Sequence, residues 1–186
     1  MLRHHLKSFL CANFTRREDG TVAIETVIIL PMMFWAFLSM FSIFDAFRQY
    51  SINQKAAYTI GDMISRETLP INNAYLDGAQ DLFDYLTRSR EGSAIRVSSL
   101  KWDNDNRIFM RDWSKARGWV SPLSNSNVSG WIDRLPIMRH NERIVVVETW
   151  SKYDPPFNTG LEDREIRNFT FTRPRYAPSV LWTDEI

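Results

Sequence analysis

Among the 186 residues of this chain, Glu25 is the side chain whose position most demands a chemical reason. It lies four residues after Thr21 and five after Gly20, at the head of an apolar run, residues 26–44, that carries no formal charge. An unpaired carboxylate deep in a bilayer costs about 2.5–3.5 kcal/mol on insertion scales, so its placement asks for a compensating partner. Gly20, with no Cβ, marks where a helix begins. An α-amine on Thr21, were a chain to start there, would have an unperturbed pKa of about 8. That amine would lie one helical turn from Glu25, on its own chain or a neighbour's, in a first turn where the helix dipole also favours negative charge. The simpler alternative is a carboxylate resting at the polar interface of the membrane.

The run that follows is long enough to span. A helix over residues 26–44 rises about 28 Å at ~1.5 Å per residue, close to the ~30 Å hydrocarbon core. Thr26, Ser39 and Ser42 are tolerable because their hydroxyls bond back to the helix. Pro31 removes one backbone donor and predicts a kink or local loosening. A buried soluble helix is the alternative reading. A cleavable secretory signal would have a shorter apolar region and an A-x-A-like site, and residues 34–42, FWAFLSMFS, offer none. The segment before the run holds Arg3, Lys7, Arg16 and Arg17. Its charge favours a cytoplasmic N-terminus and a translocated C-terminal part.

The segment Arg17-Glu18-Asp19-Gly20-Thr21-Val22-Ala23-Ile24-Glu25, followed by an apolar run containing Pro31, resembles the N-termini of type IV pilin-like proteins. It is most similar to the TadE/TadG-like family of tight-adherence (Flp-type) pilus assembly. The resemblance implies a leader over residues 1–20, cut by a prepilin peptidase between Gly20 and Thr21, with Glu25 as the fifth residue of the product. It also implies a minor pilin-like (pseudopilin) role in the bacterial inner membrane, with the C-terminal domain in the periplasm. The implied partners are other pilin or pseudopilin subunits, the prepilin peptidase, an inner-membrane secretion platform and membrane lipid. Glu18 and Asp19 depart from the pattern by diluting the basic charge before the cut, and Thr21 is a polar first residue. A periplasmic binding or scaffold module on an uncleaved signal anchor, unrelated to pili, is the alternative.

Composition narrows the rest. There are 23 Lys plus Arg and 22 Asp plus Glu, a balance of +1. Removing residues 1–20 takes away four basic and two acidic residues and leaves −1. Neither value suggests a nucleic-acid surface, which shows as a basic stripe with high pI. Cys11, in the leader, is the single cysteine, so the processed chain would hold no disulfide and no thiolate metal site. Beyond the leader His140 stands alone, without the nucleophile elbow or metal-pair spacing that a catalytic or zinc histidine would need. No catalytic residue, cofactor or metal is expected. Asp103-Asn104-Asp105-Asn106 fails the EF-hand pattern, since Ile108 falls at the sixth position and Ser114 at the twelfth. It reads instead as a polar hairpin turn.

The predicted architecture is α+β: a long N-terminal transmembrane helix, then a small periplasmic domain, residues 67–186, with a helix and an antiparallel sheet. Apolar residues recur at helical spacing past the span, at Ala46, Phe47, Tyr50, Ala57, Ile60 and Ile64. They predict one helix over residues 22–66, its first half in lipid and its second half packing on the domain. Pro70 enforces its end. A second helix is expected over residues 73–90, with Asn73 as N-cap and an apolar face of Tyr75, Leu76, Ala79, Leu82, Phe83 and Leu86. Strands are expected over residues 95–98, 107–113, 143–150 and 167–173. The continuously apolar 143–148 should be central, and Phe169 and Phe171 should share a face. The Ser- and Asn-rich residues 121–130 predict an exposed loop.

Overall fold

A computed structural model describes residues 19–89 and 91–184 of the chain. Helix α1 covers Asp19–Ser65, α2 covers Asn73–Thr87, and a single turn, α3, covers Asn125–Val128. Strands β1 (Ser93–Asp103), β2 (Ile108–Arg117), β3 (Arg143–Tyr153) and β4 (Arg164–Thr172) form one antiparallel sheet in the order β2-β1-β3-β4. The chain divides into two compact units. One holds α1 as far as Phe44 together with Pro156–Leu161; the other starts at Asp45 and contains the sheet.

In the first unit α1 is apolar all round. Val22, Val27, Met32, Phe34 and Phe37 are each more than 60% exposed, so no protein core accounts for them. The helix runs unbroken through Pro31. Thr26 Oγ1 donates to the Val22 carbonyl at 2.7 Å and Ser42 Oγ to that of Leu38 at 3.0 Å, absorbing these two hydroxyls within the helix, whereas Ser39 Oγ, expected to do the same, has no hydrogen-bond partner among the described residues. The rings of Phe41 and Phe157 meet edge-on at 5.8 Å.

In the second unit the same helix changes character. Ala56, Ala57, Ile60 and Ile64 are buried against Leu76, Ala79 and Phe83 of α2, Ile95 and Val97 of β1, and Val145 and Val147 of β3. Small residues at 56, 57 and 61 let the backbone come close to the sheet. Asn53 and Ser151, both buried, satisfy each other at 2.6 Å. The chain end closes this layer. Ile71 pairs in parallel with Trp182, Trp113 Nε1 donates to the Val180 carbonyl at 2.9 Å, and the Trp113 and Trp182 rings lie 5.6 Å apart.

The opposite face of the sheet is also covered. Leu100, Trp102, Phe109, Ile144 and Val146 pack beneath Leu123, Val128, Trp131, Leu135 and Met138, all from the β2–β3 connection. Both faces of β3 are therefore buried from Ile144 to Ser151, which is why its sequence is a near-continuous apolar run.

Several boundaries differ from the sequence reading. The N-cap of α2 is Asn72, whose side chain accepts from the Tyr75 amide at 3.0 Å, rather than its neighbour Asn73. The helix ends at Thr87, three residues early, because Arg88 turns left-handed at φ 54°. Strand β1 is eleven residues long, not four. Residues 121–130 are not simply an exposed loop: they contain α3, and Leu123 and Val128 are buried. Phe169 and Phe171 do share a face, but Phe169 packs on that core while Phe171 stays 45% exposed.

Candidate functional site

Gly20 and Thr21 both fall in the first turn of α1, and the expected leader, residues 1–18, lies outside the described residues. The Gly20–Thr21 bond is therefore helical here, and a protease would have to open that turn to reach it. Glu25 follows one turn later, exposed, with no hydrogen bond or ion pair among the described residues. It borders a shallow apolar groove of about 530 Å³ whose other walls include Val22, Ile29, Met33 and Phe37. One unpaired carboxylate beside an otherwise apolar surface is a strong positional signal for a cation, because the residues that line the groove with Glu25 include no second acid. Pro31 leaves the helix intact while removing one amide donor.

His140 and the 103–106 segment meet at the β1–β2 turn. Asp103 Oδ1 accepts from the Asp105 amide at 3.0 Å, Asp103 Oδ2 from Asn106 Nδ2 at 2.8 Å, and His140 Nδ1 from the Asn104 amide at 3.2 Å. The Asn106 side-chain bond, with help from the Asp105 and Asn106 backbone amides, holds the Asp103 carboxyl below its ordinary value. Ligand atoms of Asp103, Asp105 and His140 lie within 4.8 Å of one another. Their hydrogen bonds are spent on building the hairpin turn, as Asn and Asp side chains commonly do.

Sequence reasoning missed a second constellation, on the covered face of the sheet opposite α1. Register places Arg96 of β1, Glu148 of β3 and Phe169 of β4 directly across from one another. Arg96 Nε and Nη2 both donate to Glu148 Oε2, at 2.7 and 2.6 Å, and Arg96 Nη1 donates to the Ser121 carbonyl at 2.9 Å. Trp150 flanks the Arg96 guanidinium at 4.9 Å. The side chains of Arg96 and Glu148 are only 16% and 9% exposed. Burial pushes the Glu148 carboxyl above its usual range, against the pull of Arg96 in the other direction. Over Phe169 and Trp131 sits Arg134, its guanidinium carbon 4.5 and 5.3 Å from the two ring centres. The available signal was a charged residue inside each of two apolar strands, Ile95-Arg96-Val97 and Val147-Glu148-Thr149. The 52 residues between the partners hid their pairing.

No family model, curated protein or solved structure matches this chain. The geometry alone carries the functional argument. Among the described residues one helix is long and apolar enough to cross a membrane, and it leads into a small domain with a helix and a four-stranded antiparallel sheet.

Proposed function

We propose that the chain is a single-pass inner-membrane protein with a periplasmic α+β domain, acting as a minor pilin-like subunit of a tight-adherence pilus system of the TadE/TadG-like type. The observation that carries this reading is the first half of α1, an apolar surface interrupted by one unpartnered carboxylate at Glu25. Prepilin peptidase removes residues 1–20 in this scheme, after local opening of the first turn, and leaves the Thr21 amine one turn from Glu25. The amine of the same or a neighbouring subunit then compensates the carboxylate, recovering the cost of holding it beside lipid and fixing helix register. Helices pack side by side in the membrane and the filament base, while the folded domain selects neighbours. The activity is assembly through subunit contacts, with no catalytic role for this chain.

Intact-mass and N-terminal peptide mass spectrometry of the protein extracted from membranes tests the processing step. A mature N-terminus at Thr21 is expected. An intact leader, or a cut beyond Ser39, would leave a signal anchor or a secreted domain in its place. In cells that make the pilus, Glu25→Ala should preserve insertion and cleavage but abolish incorporation; normal piliation with that variant rejects the register role.

A further inference from the structure

The β2–β3 connection and the sheet face beneath it enclose a cavity of about 420 Å³, lined by Arg96, Ser121, Asn127, Trp131, Arg134 and Glu148 among others. That volume is within the roughly 300–1,000 Å³ of small-molecule sites. We infer that this cavity binds an α-carboxylate carrying a nitrogen donor one carbon away, the chemistry shared by a free amino acid and by a peptide C-terminus.

Two groups in the cavity have unused hydrogen-bonding capacity, and they have opposite polarity. The Arg134 guanidinium carbon lies over both Phe169 and Trp131, whose rings stand at 77° to each other. The two rings confine the guanidinium, and its N–H donors can fork a carboxylate. Among the described residues that guanidinium makes no hydrogen bond and no contact ion pair, and although its charge also acts on Glu148, its N–H donors are open to a ligand anion. Glu148 is the complement. Arg96 loads both of its contacts onto Oε2, and no donor among the described residues reaches Oε1. A side chain only 9% exposed with a free acceptor oxygen is poised to take an N–H from whatever enters.

The charges select the ligand class. Arg134 offers donors to a carboxylate and Glu148 an acceptor to an N–H, a pairing that both a zwitterionic amino acid and the anionic end of a peptide satisfy. Inorganic phosphate, a mixture of mono- and dianion at neutral pH, carries no N–H, and its dianion would bring a second negative charge toward Glu148. Arg96 is already committed to Glu148 and Ser121, so it positions the acid rather than binding the ligand. Phe169, which carries Arg134, faces Glu148 across β3 and β4, and Arg134 and Glu148 line the same cavity. An α-carboxylate with its nitrogen one carbon away is the most compact ligand that carries both groups.

Isothermal titration of the full-length protein in detergent tests the inference with four probes: glycine, N-acetylglycine, N-acetylglycinamide and inorganic phosphate. Binding of glycine or N-acetylglycine with a Kd on the order of 1 mM or tighter is expected. Neither N-acetylglycinamide, which lacks the carboxylate, nor phosphate should bind comparably. Preference for N-acetylglycine assigns the site to a peptide C-terminus, and preference for glycine to a free amino acid. Arg134 is exposed, so Arg134→Ala should fold normally and weaken binding about tenfold or more. Arg134→Lys should restore little of it, because an ammonium cannot make the fork. Absence of binding by both carboxylates, equal binding of N-acetylglycinamide, or unchanged affinity in Arg134→Ala would overturn the assignment.

Discussion

The two halves of α1 are built for different surroundings, although the helix passes from one to the other without a break. From Val22 to Phe37 the side chains are mostly apolar and all exposed, with one acid at Glu25. From Asp45 the helix becomes two-faced. Ala56, Ala57, Ile60 and Ile64 lie under the sheet, while Lys55, Tyr58 and Thr59 face outward. A hydrophobic helix with no protein partner implies another apolar medium, whereas an amphipathic one carries its partner in its own chain. The change occurs within one turn of Asp45, whose carboxylate accepts from Tyr153 Oη at 3.2 Å and ties the start of the second half to β3.

Equivalent substitutions in the two halves should behave oppositely. Ile60 is fully buried, so Ile60→Ala should lower domain stability by about 2–5 kcal/mol in chemical denaturation. Ile29→Ala, in the exposed half, should leave the same transition unchanged; equal losses would show that the first half also packs on protein. Next in size, Asn53→Ala should cost about 1–3 kcal/mol, because the buried Ser151 hydroxyl loses its partner. Replacing both Asn53 and Ser151 by Ala should be less damaging than the sum of the single changes.

The junction between the halves should respond to alkali. Burial, reinforced by the Asp45 carboxylate, pushes the Tyr153 hydroxyl up to about 12, against about 10 when unfolded. A proton held more tightly in the fold makes stability full below pH 10 and declining as pH climbs toward 12. Tyr153→Phe should flatten that decline without abolishing it, because Tyr75 beside Glu67 is shifted in the same direction. The smallest expected effect is a gain. A Cβ on Gly61 would meet Thr170 Oγ1 at 3.9 Å, an ordinary contact, so Gly61→Ala should raise stability by about 0.5–1 kcal/mol through helix propensity. A loss instead would mean that α1 sits closer to β4 than these distances allow.

How legible all this was in the sequence depended on period and distance along the chain. Apolar spacing revealed both halves of α1, and the run from Ile144 to Val147 disclosed a strand buried on both faces. The sequence reading puts the α2 cap at Asn73, and backbone geometry gives it to its neighbour Asn72. The cover over the second face was hidden because Leu123 and Val128 are scattered among serines and asparagines with no period. The C-terminal strap was equally obscure, since Val180 and Trp182 are held by residues 71 and 113. Of the candidate sites, Glu25 stood out because it contradicts its surroundings. Arg96, Glu148 and Arg134 become a site only when three strands and a connection are brought together.

The division of α1 between lipid and protein is tested most directly by labelling with a membrane-impermeant maleimide in intact cells, from which the outer membrane has been permeabilised. Single cysteines would be placed by Ile29→Cys, Phe34→Cys and Tyr58→Cys in a Cys11→Ser background. Positions 29 and 34 should remain unlabelled until detergent is added, and position 58 should react at once. Immediate reaction at 29 and 34, or their absence from the mature protein, would contradict the account.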